Sequence, residues 1–179
     1  RLAAHRKMTG LVVEAGSGVS YERLPEVFVE GFAGNEKARL RAAVDLAKSL
    51  GLDIVPFLNA SAAHDIWLGP YPYAVPNGDL YLEALFEAIE ELIGVCRSPF
   101  FHIGMDEDVA RDFDERALRD VAMHERVLLA CHAFLRRQGI TTLIWNDGLM
   151  LLPEDRRHIP RDVIVVPWYY GGADFSPAR

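Results

Sequence analysis

The sequence is poor in cysteine: Cys96 and Cys131 are the only two in 179 residues, and they resemble no metal-binding spacing. Both fall inside helical patterns and read as buried free thiols. Basic residues are also scarce, 19 Lys and Arg against 26 Asp and Glu, for a net charge of −7. That balance argues against a nucleic-acid partner, because affinity for a phosphate backbone rests on clustered Lys and Arg. No apolar run reaches the ~20 residues of a transmembrane helix, so no membrane span is expected, and the polar, mixed segment 1–7 does not read as a signal peptide. A Gly-rich phosphate fingerprint is missing too. Gly16-Ser17-Gly18 lacks the third glycine and a helix directly after it. What remains is half hydrophobic and a quarter charged, the composition expected of a soluble globular domain.

What is present alternates strand and helix. Residues 8–14 (MTGLVVE) predict a short buried strand. Asn35 then caps a helix to Leu50, with Leu40, Val44, Ala47 and Leu50 on one face and Gly51 as its left-handed stop. Residues 52–58 predict the second strand, with Pro56 near its end. A second helix starts at Asp79 and carries the stripe Leu82, Leu85, Phe86, Ile89, Leu92 and Ile93, the segment 94–99 forming the turn that follows. Residues 100–104 are strand again, 118–138 a third helix ended by Gly139, and 140–145 and 163–168 the last two strands. Strands apolar on both sides and separated by helices imply a parallel sheet.

Loop lengths sharpen this. Helix-to-strand turns are short, whereas the strand-to-helix segments 15–34 and 59–78 are 20 residues each. Long loops gathered at the carboxyl ends of the strands suit a (β/α)8 barrel, whose site is built there; a doubly wound open sheet would place its site there too, but the missing phosphate fingerprint counts against it. The expected fold is therefore α/β, a partial (β/α)8 barrel. Five strands stand against the usual eight, so residues 1–179 are expected to be a single catalytic domain truncated at both ends. Read at the strand ends, the chain offers Glu14, Asn59, His102, Asp106, Glu107, Trp145, Asn146, Asp147 and Trp168. Carboxylates supply acid and base for glycosidic cleavage, and indole faces stack on the C–H faces of a pyranose. Composition alone does not choose between a sugar site and other barrel hydrolases.

The run FHIGMDED (101–108) resembles the His-x-Gly-Gly-Asp-Glu signature of glycoside hydrolase family 20, the β-N-acetylhexosaminidases. Further pieces follow in family order. GLVVE (10–14) and GLDIVPFLN (51–59) resemble early strands of hexosaminidase D-like members, while TTLIWNDGL (141–149) and VIVVPWYYG (163–171) resemble the fifth and sixth strands. The likeness spans residues 8–171, strands two to six of the barrel. It implies Glu107 as acid/base and Asp106 as the group that orients the substrate's 2-acetamido, whose carbonyl oxygen is the nucleophile in a retaining, substrate-assisted reaction. Glu14, Asn59, His102, Trp145, Asp147 and Trp168 are implied as substrate-binding, with no metal, no cofactor and an N-acetylhexosaminide as partner.

The sequence departs from the family pattern in two places. Met105 stands where a second glycine is usual, and Ala62-Ala63-His64 replaces the Gly-His after the third strand, one residue out of register. Two other readings use the same residues. One is a metal-dependent barrel hydrolase with His64, His102, Asp106 and Asp147 as ligands; the other is a non-catalytic carbohydrate-binding barrel. Asp106-Glu107-Asp108 also suits a helix N-cap and acidic first turn. His124, His132 and His158 carry no assigned role.

Overall fold

The structure, a computed structural model, describes residues 2–16, 18–25, 36–60, 78–106, 115–146 and 159–167, the side chains of Leu2 and of 115–123 excepted. Its elements run α1 (Leu2–His5), β1 (Gly10–Glu14), α2 (Glu36–Ser49), β2 (Asp53–Phe57), α3 (Asp79–Cys96), β3 (Phe100–His102), α4 (Glu115–Arg137), β4 (Thr141–Trp145) and β5 (Ile164–Val166). The five strands form one parallel sheet in the order β1-β2-β3-β4-β5. A doubly wound sheet would reverse its strand order at a switch point. Sequential order throughout is that of a partial (β/α)8 barrel.

Register and burial assign the two faces of the sheet. Leu11, Val13, Ile54, Leu58, Phe101, Ile103 and Ile144 pack with buried residues of α2, α3 and α4. Every described long helix therefore covers the same face, as in a barrel whose helices form the outer ring. Neighbours in register share a face, so the opposite side carries Val12, Glu14, Val55, Phe57, His102, Leu143, Trp145 and Ile164. On the two edge strands this side is open: Val12 is 42% and Ile164 43% exposed.

Two differences from the sequence pattern have physical causes. Helix α3 does not stop at Gly94 but runs through it to Cys96, because Val95 and Cys96 bury themselves beside Ile54 and Leu52. The stop is Arg97 instead, left-handed at φ 53°, its N–H bonded to the Ile93 carbonyl. The buried centre of α3 also lies one position off the expected stripe. Tyr81, Ala84 and Ala88 are buried with Leu85, Ile89 and Leu92, while Leu82, Phe86 and Ile93 flank them. Small residues let the helix approach the sheet closely, and the Tyr81 hydroxyl donates to the Ala60 carbonyl at 2.7 Å. Pro56 is the penultimate residue of β2. The Asp53 N–H bonds Thr9 on the β1 side and the Leu58 N–H bonds His102 on the β3 side, so by alternation the donor that Pro56 lacks faced β3.

Candidate active site

The site is built on the carboxyl ends of β1 to β4. Strand β3 stays laddered past its formal end: Ala60 N–H bonds Ile103 O, Ile103 N–H bonds Leu143 O, and Trp145 N–H bonds Gly104 O. The chain then turns through two consecutive left-handed residues, Gly104 at φ 74° and Met105 at φ 72°, and delivers Asp106. For Met105 this conformation costs about 1–2 kcal/mol. The methionine thus occupies the backbone state that the usual glycine would adopt freely, with its side chain buried in the core.

Three hydrogen bonds hold that turn. The Gly104 N–H donates to His102 Nδ1 at 3.0 Å. The Met105 N–H donates to Asn59 Oδ1 at 3.2 Å, and Asn59 Nδ2 donates to Asp106 Oδ1 at 2.6 Å. The amide orientation follows from its partners, since an N–H needs an acceptor and a carboxylate a donor. Asn59 is 7% exposed and Asp106 half-buried. Gly104 has no room for a side chain, because a Cβ there would lie 2.3 Å from Asn59 Oδ1.

Below the turn sits an aromatic group. The His102 ring centroid is 4.2 Å from that of Trp145 and 5.0 Å from that of Phe57, and Phe57 meets Trp145 edge-on at 5.9 Å. His102 is wholly buried, and burial pushes its pKa down to about 4, so the imidazole is neutral. With Nδ1 accepting, the proton lies on Nε2, which has no partner among the described residues. The ring therefore supports the turn from beneath. Phe57 carries no mark in the sequence that separates it from the other apolar residues of its strand. A strand's apolar alternation does not say which face is the inner one, and only the register with His102 shows it.

The loop after β1 is pinned to α3. Glu91 accepts the backbone N–H of Glu22 at 3.0 Å and of Arg23 at 2.8 Å, and Lys37 Nζ at 2.5 Å. These donors lower its pKa against the opposing effect of burial. Tyr21 donates to Gly16 O at 2.7 Å, and burial first, then the charges of Glu14 and Glu91, raise its pKa well above the usual value. Glu14 itself is exposed at the end of β1, in register with Phe57. Of the residues expected at the site, the sheet thus brings Glu14, Asn59, His102, Asp106 and Trp145 to one end. Glu107, Asp147, Trp168 and His64 lie outside the described residues. Among the described residues no three His, Cys, Asp or Glu side chains gather as a metal site, and no helix is long and apolar enough to cross a membrane. Cys96 and Cys131 are buried free thiols, and burial raises the pKa of both, Cys96 to about 11 and Cys131 to about 12.

No family model matches the sequence, and no curated protein does. Solved structures do. The β-N-acetylhexosaminidase from Bacteroides fragilis NCTC 9343 superposes with a TM-score of 0.70 at 16% identity, over 93% of this chain and 41% of that one. Flavobacterium johnsoniae chitobiase gives 0.70 at 18% identity, over 94% and 30%. The glycoside hydrolase family 20 β-N-acetylhexosaminidase from Streptomyces coelicolor A3(2) gives 0.64 at 18%, over 93% and 38%. The chain thus spans less than half the length of each of these proteins. In fold, it is similar to part of the β-N-acetylhexosaminidases of glycoside hydrolase family 20.

Proposed function

We propose that the protein containing this chain hydrolyses terminal β-linked N-acetylhexosamine residues with retention, the substrate's own acetamide acting as nucleophile. The observation that carries this is the fixed Asp106 carboxylate at the carboxyl end of β3, at the same end of the sheet as the Trp145 ring, in a fold similar to β-N-acetylhexosaminidases. On this reading Asp106 orients and polarises the acetamido group, whose carbonyl oxygen attacks the anomeric carbon to give an oxazolinium intermediate. Glu107 protonates the leaving oxygen and then activates water. Trp145 and Trp168 wall the pocket, Glu14 and Asp147 bond sugar hydroxyls, and His102 supports the pair from below. No protein nucleophile is needed at ~5 Å, so adjacent carboxylates suffice. Residues 1–179 would supply strands two to six of the barrel. Two structures similar in fold, from Vibrio harveyi and Streptomyces plicatus, hold N-acetylglucosamine, which supports this class of ligand.

The test compares substrates in the complete protein. Glu107→Gln should cost ~10²–10⁴-fold on substrates with poor leaving groups and far less on activated aryl glycosides. Asp106→Asn should impair every N-acetyl substrate alike. Equal hydrolysis of an N-acetylglucosaminide and the plain glucoside would exclude acetamide participation.

A further inference from the structure

We propose that Asn59 is a positioning residue for the Asp106 carboxylate, in place of the sugar-binding role its strand-end location suggests; this rests on the hydrolase reading above for its consequence in catalysis. Two ends of one side chain are committed to the same turn. Nδ2 holds Asp106 Oδ1 at 2.6 Å and Oδ1 caps the Met105 N–H at 3.2 Å, so the amide bridges the turn's backbone and its terminal carboxylate. The residue is 7% exposed, which leaves little surface for a ligand. Gly104 is shaped around it, since any Cβ there would overlap the Asn59 amide. A carboxylate with one oxygen anchored loses much of its rotational freedom, and that is what orienting an acetamide N–H requires.

The device explains why an amide stands at position 59. A carboxylate there would face Asp106 at hydrogen-bond distance, and two such groups must share a proton. Titratable groups near this end among the described residues include His102, neutral and bonded to the Gly104 N–H, Glu14, exposed on β1, Tyr21, whose hydroxyl is bonded to Gly16 O, and the Glu22, Arg23, Lys37 and Glu91 cluster that pins the loop after β1. Glu107 follows Asp106 directly in sequence. Asn59→Asp is therefore a near-isosteric probe. Protonated, the introduced carboxyl still donates to Asp106 and accepts from Met105; ionised, it repels Asp106.

The experiment is a double-mutant cycle in the complete protein, with thermal unfolding and hydrolysis of a chromogenic N-acetylglucosaminide read from about pH 5 to about pH 8. The proton that the introduced carboxyl shares with Asp106 has a raised pKa when folded, so its stabilisation is present at low pH and lost as pH rises through that value. Asn59→Asp should match wild type near the acid limit and then lose about 3 °C or more of Tm and about tenfold or more in kcat toward the alkaline limit. The swapped pair Asn59→Asp/Asp106→Asn should recover the wild-type Tm and the wild-type pH profile without recovering activity. Parallel pH profiles for wild type and Asn59→Asp, or a swap no more stable than Asn59→Asp, would overturn the proposal. The stability cycle needs no turnover. Coupling in a protein that fails to hydrolyse the substrate sinks the hydrolase reading alone, and turnover without coupling sinks this one.

Discussion

At the amino end of the sheet, Gly51 and Gly139 turn α2 into β2 and α4 into β4 with φ of 72° and 73°, and a Cβ added at either would meet nothing within 4 Å. At the carboxyl end, Gly104 has φ 74°, but a Cβ there would lie 2.3 Å from a buried amide oxygen. The dihedral is the same and the constraint differs. The amino-end glycines close Schellman turns, Leu52 N–H to Ala47 O and Ile140 N–H to Leu135 O, and they answer to local geometry alone. Gly104 answers to a side chain 45 residues earlier in the sequence. Polar groups divide the same way. Ser98, near the amino end, donates to Asp53 at 2.7 Å and accepts from the Phe100 N–H. His102, near the carboxyl end, leaves Nε2 without a partner among the described residues. The glycines of one end answer to the local turn alone, whereas the other end sets a glycine against a buried amide beside a buried imidazole nitrogen that has no partner among the described residues, as functional sites do.

The largest expected effect is at Gly104. Gly104→Ala adds a left-handed penalty and displaces the Asn59 bonds to Met105 and Asp106, together about 4 kcal/mol. Activity on an N-acetylglucosaminide should fall ~10²-fold even where the protein stays folded, since Asp106 moves. Chemical denaturation and initial rates read both. A variant with wild-type rates would erase the contrast between the two ends.

Next in size is the titration of His102. Its folded pKa is held near 4 by burial, below the ordinary His value of about 6.5. The unfolded chain therefore binds a proton that the folded chain refuses, and stability falls as pH drops from about 6.5 toward 4, by about 3 kcal/mol in all. His102→Asn keeps an acceptor near the Gly104 N–H and removes the titration. Unfolding free energies across that window should slope less in the variant than in wild type. Equal slopes would mean that the imidazole charges in place, and the carboxyl end would then be no more polar-starved than the amino end.

The amino end was legible in the sequence and much of the carboxyl end was not, for a physical reason. Gly51 and Gly139 each follow a periodic helix and precede an apolar strand, so a local pattern identifies them. The long loops at 15–34 and 59–78 located the rim, and the strand ends then named Glu14, Asn59, His102, Asp106 and Trp145. Which of these touch depends on register. Asn59 reaches Asp106 because β2 and β3 pair Phe57 with His102. A slip of one residue would turn Asn59 to the helix face. Arg97 escaped for the opposite reason: a non-glycine left-handed cap has no sequence signal, so Gly94 looked like the stop.

The smallest expected effect completes the contrast. Gly139→Ala carries the same change in chain chemistry as Gly104→Ala, at almost the same φ, but into open space. Only the left-handed penalty of about 1 kcal/mol should remain, a shift of ~2–4 °C in Tm for a domain of this size class. Hydrolysis rates should be unchanged, because α4 and β4 keep their ends and nothing propagates to Trp145 or Asp106. Gly139→Asn should cost still less, since asparagine visits this region more readily. Measured side by side, the two alanine variants separate the cost of the dihedral from that of the occupied space. A Gly139→Ala protein that lost as much stability or activity as Gly104→Ala would mean that backbone strain alone, not the Asn59 contact, governs the turn before Asp106.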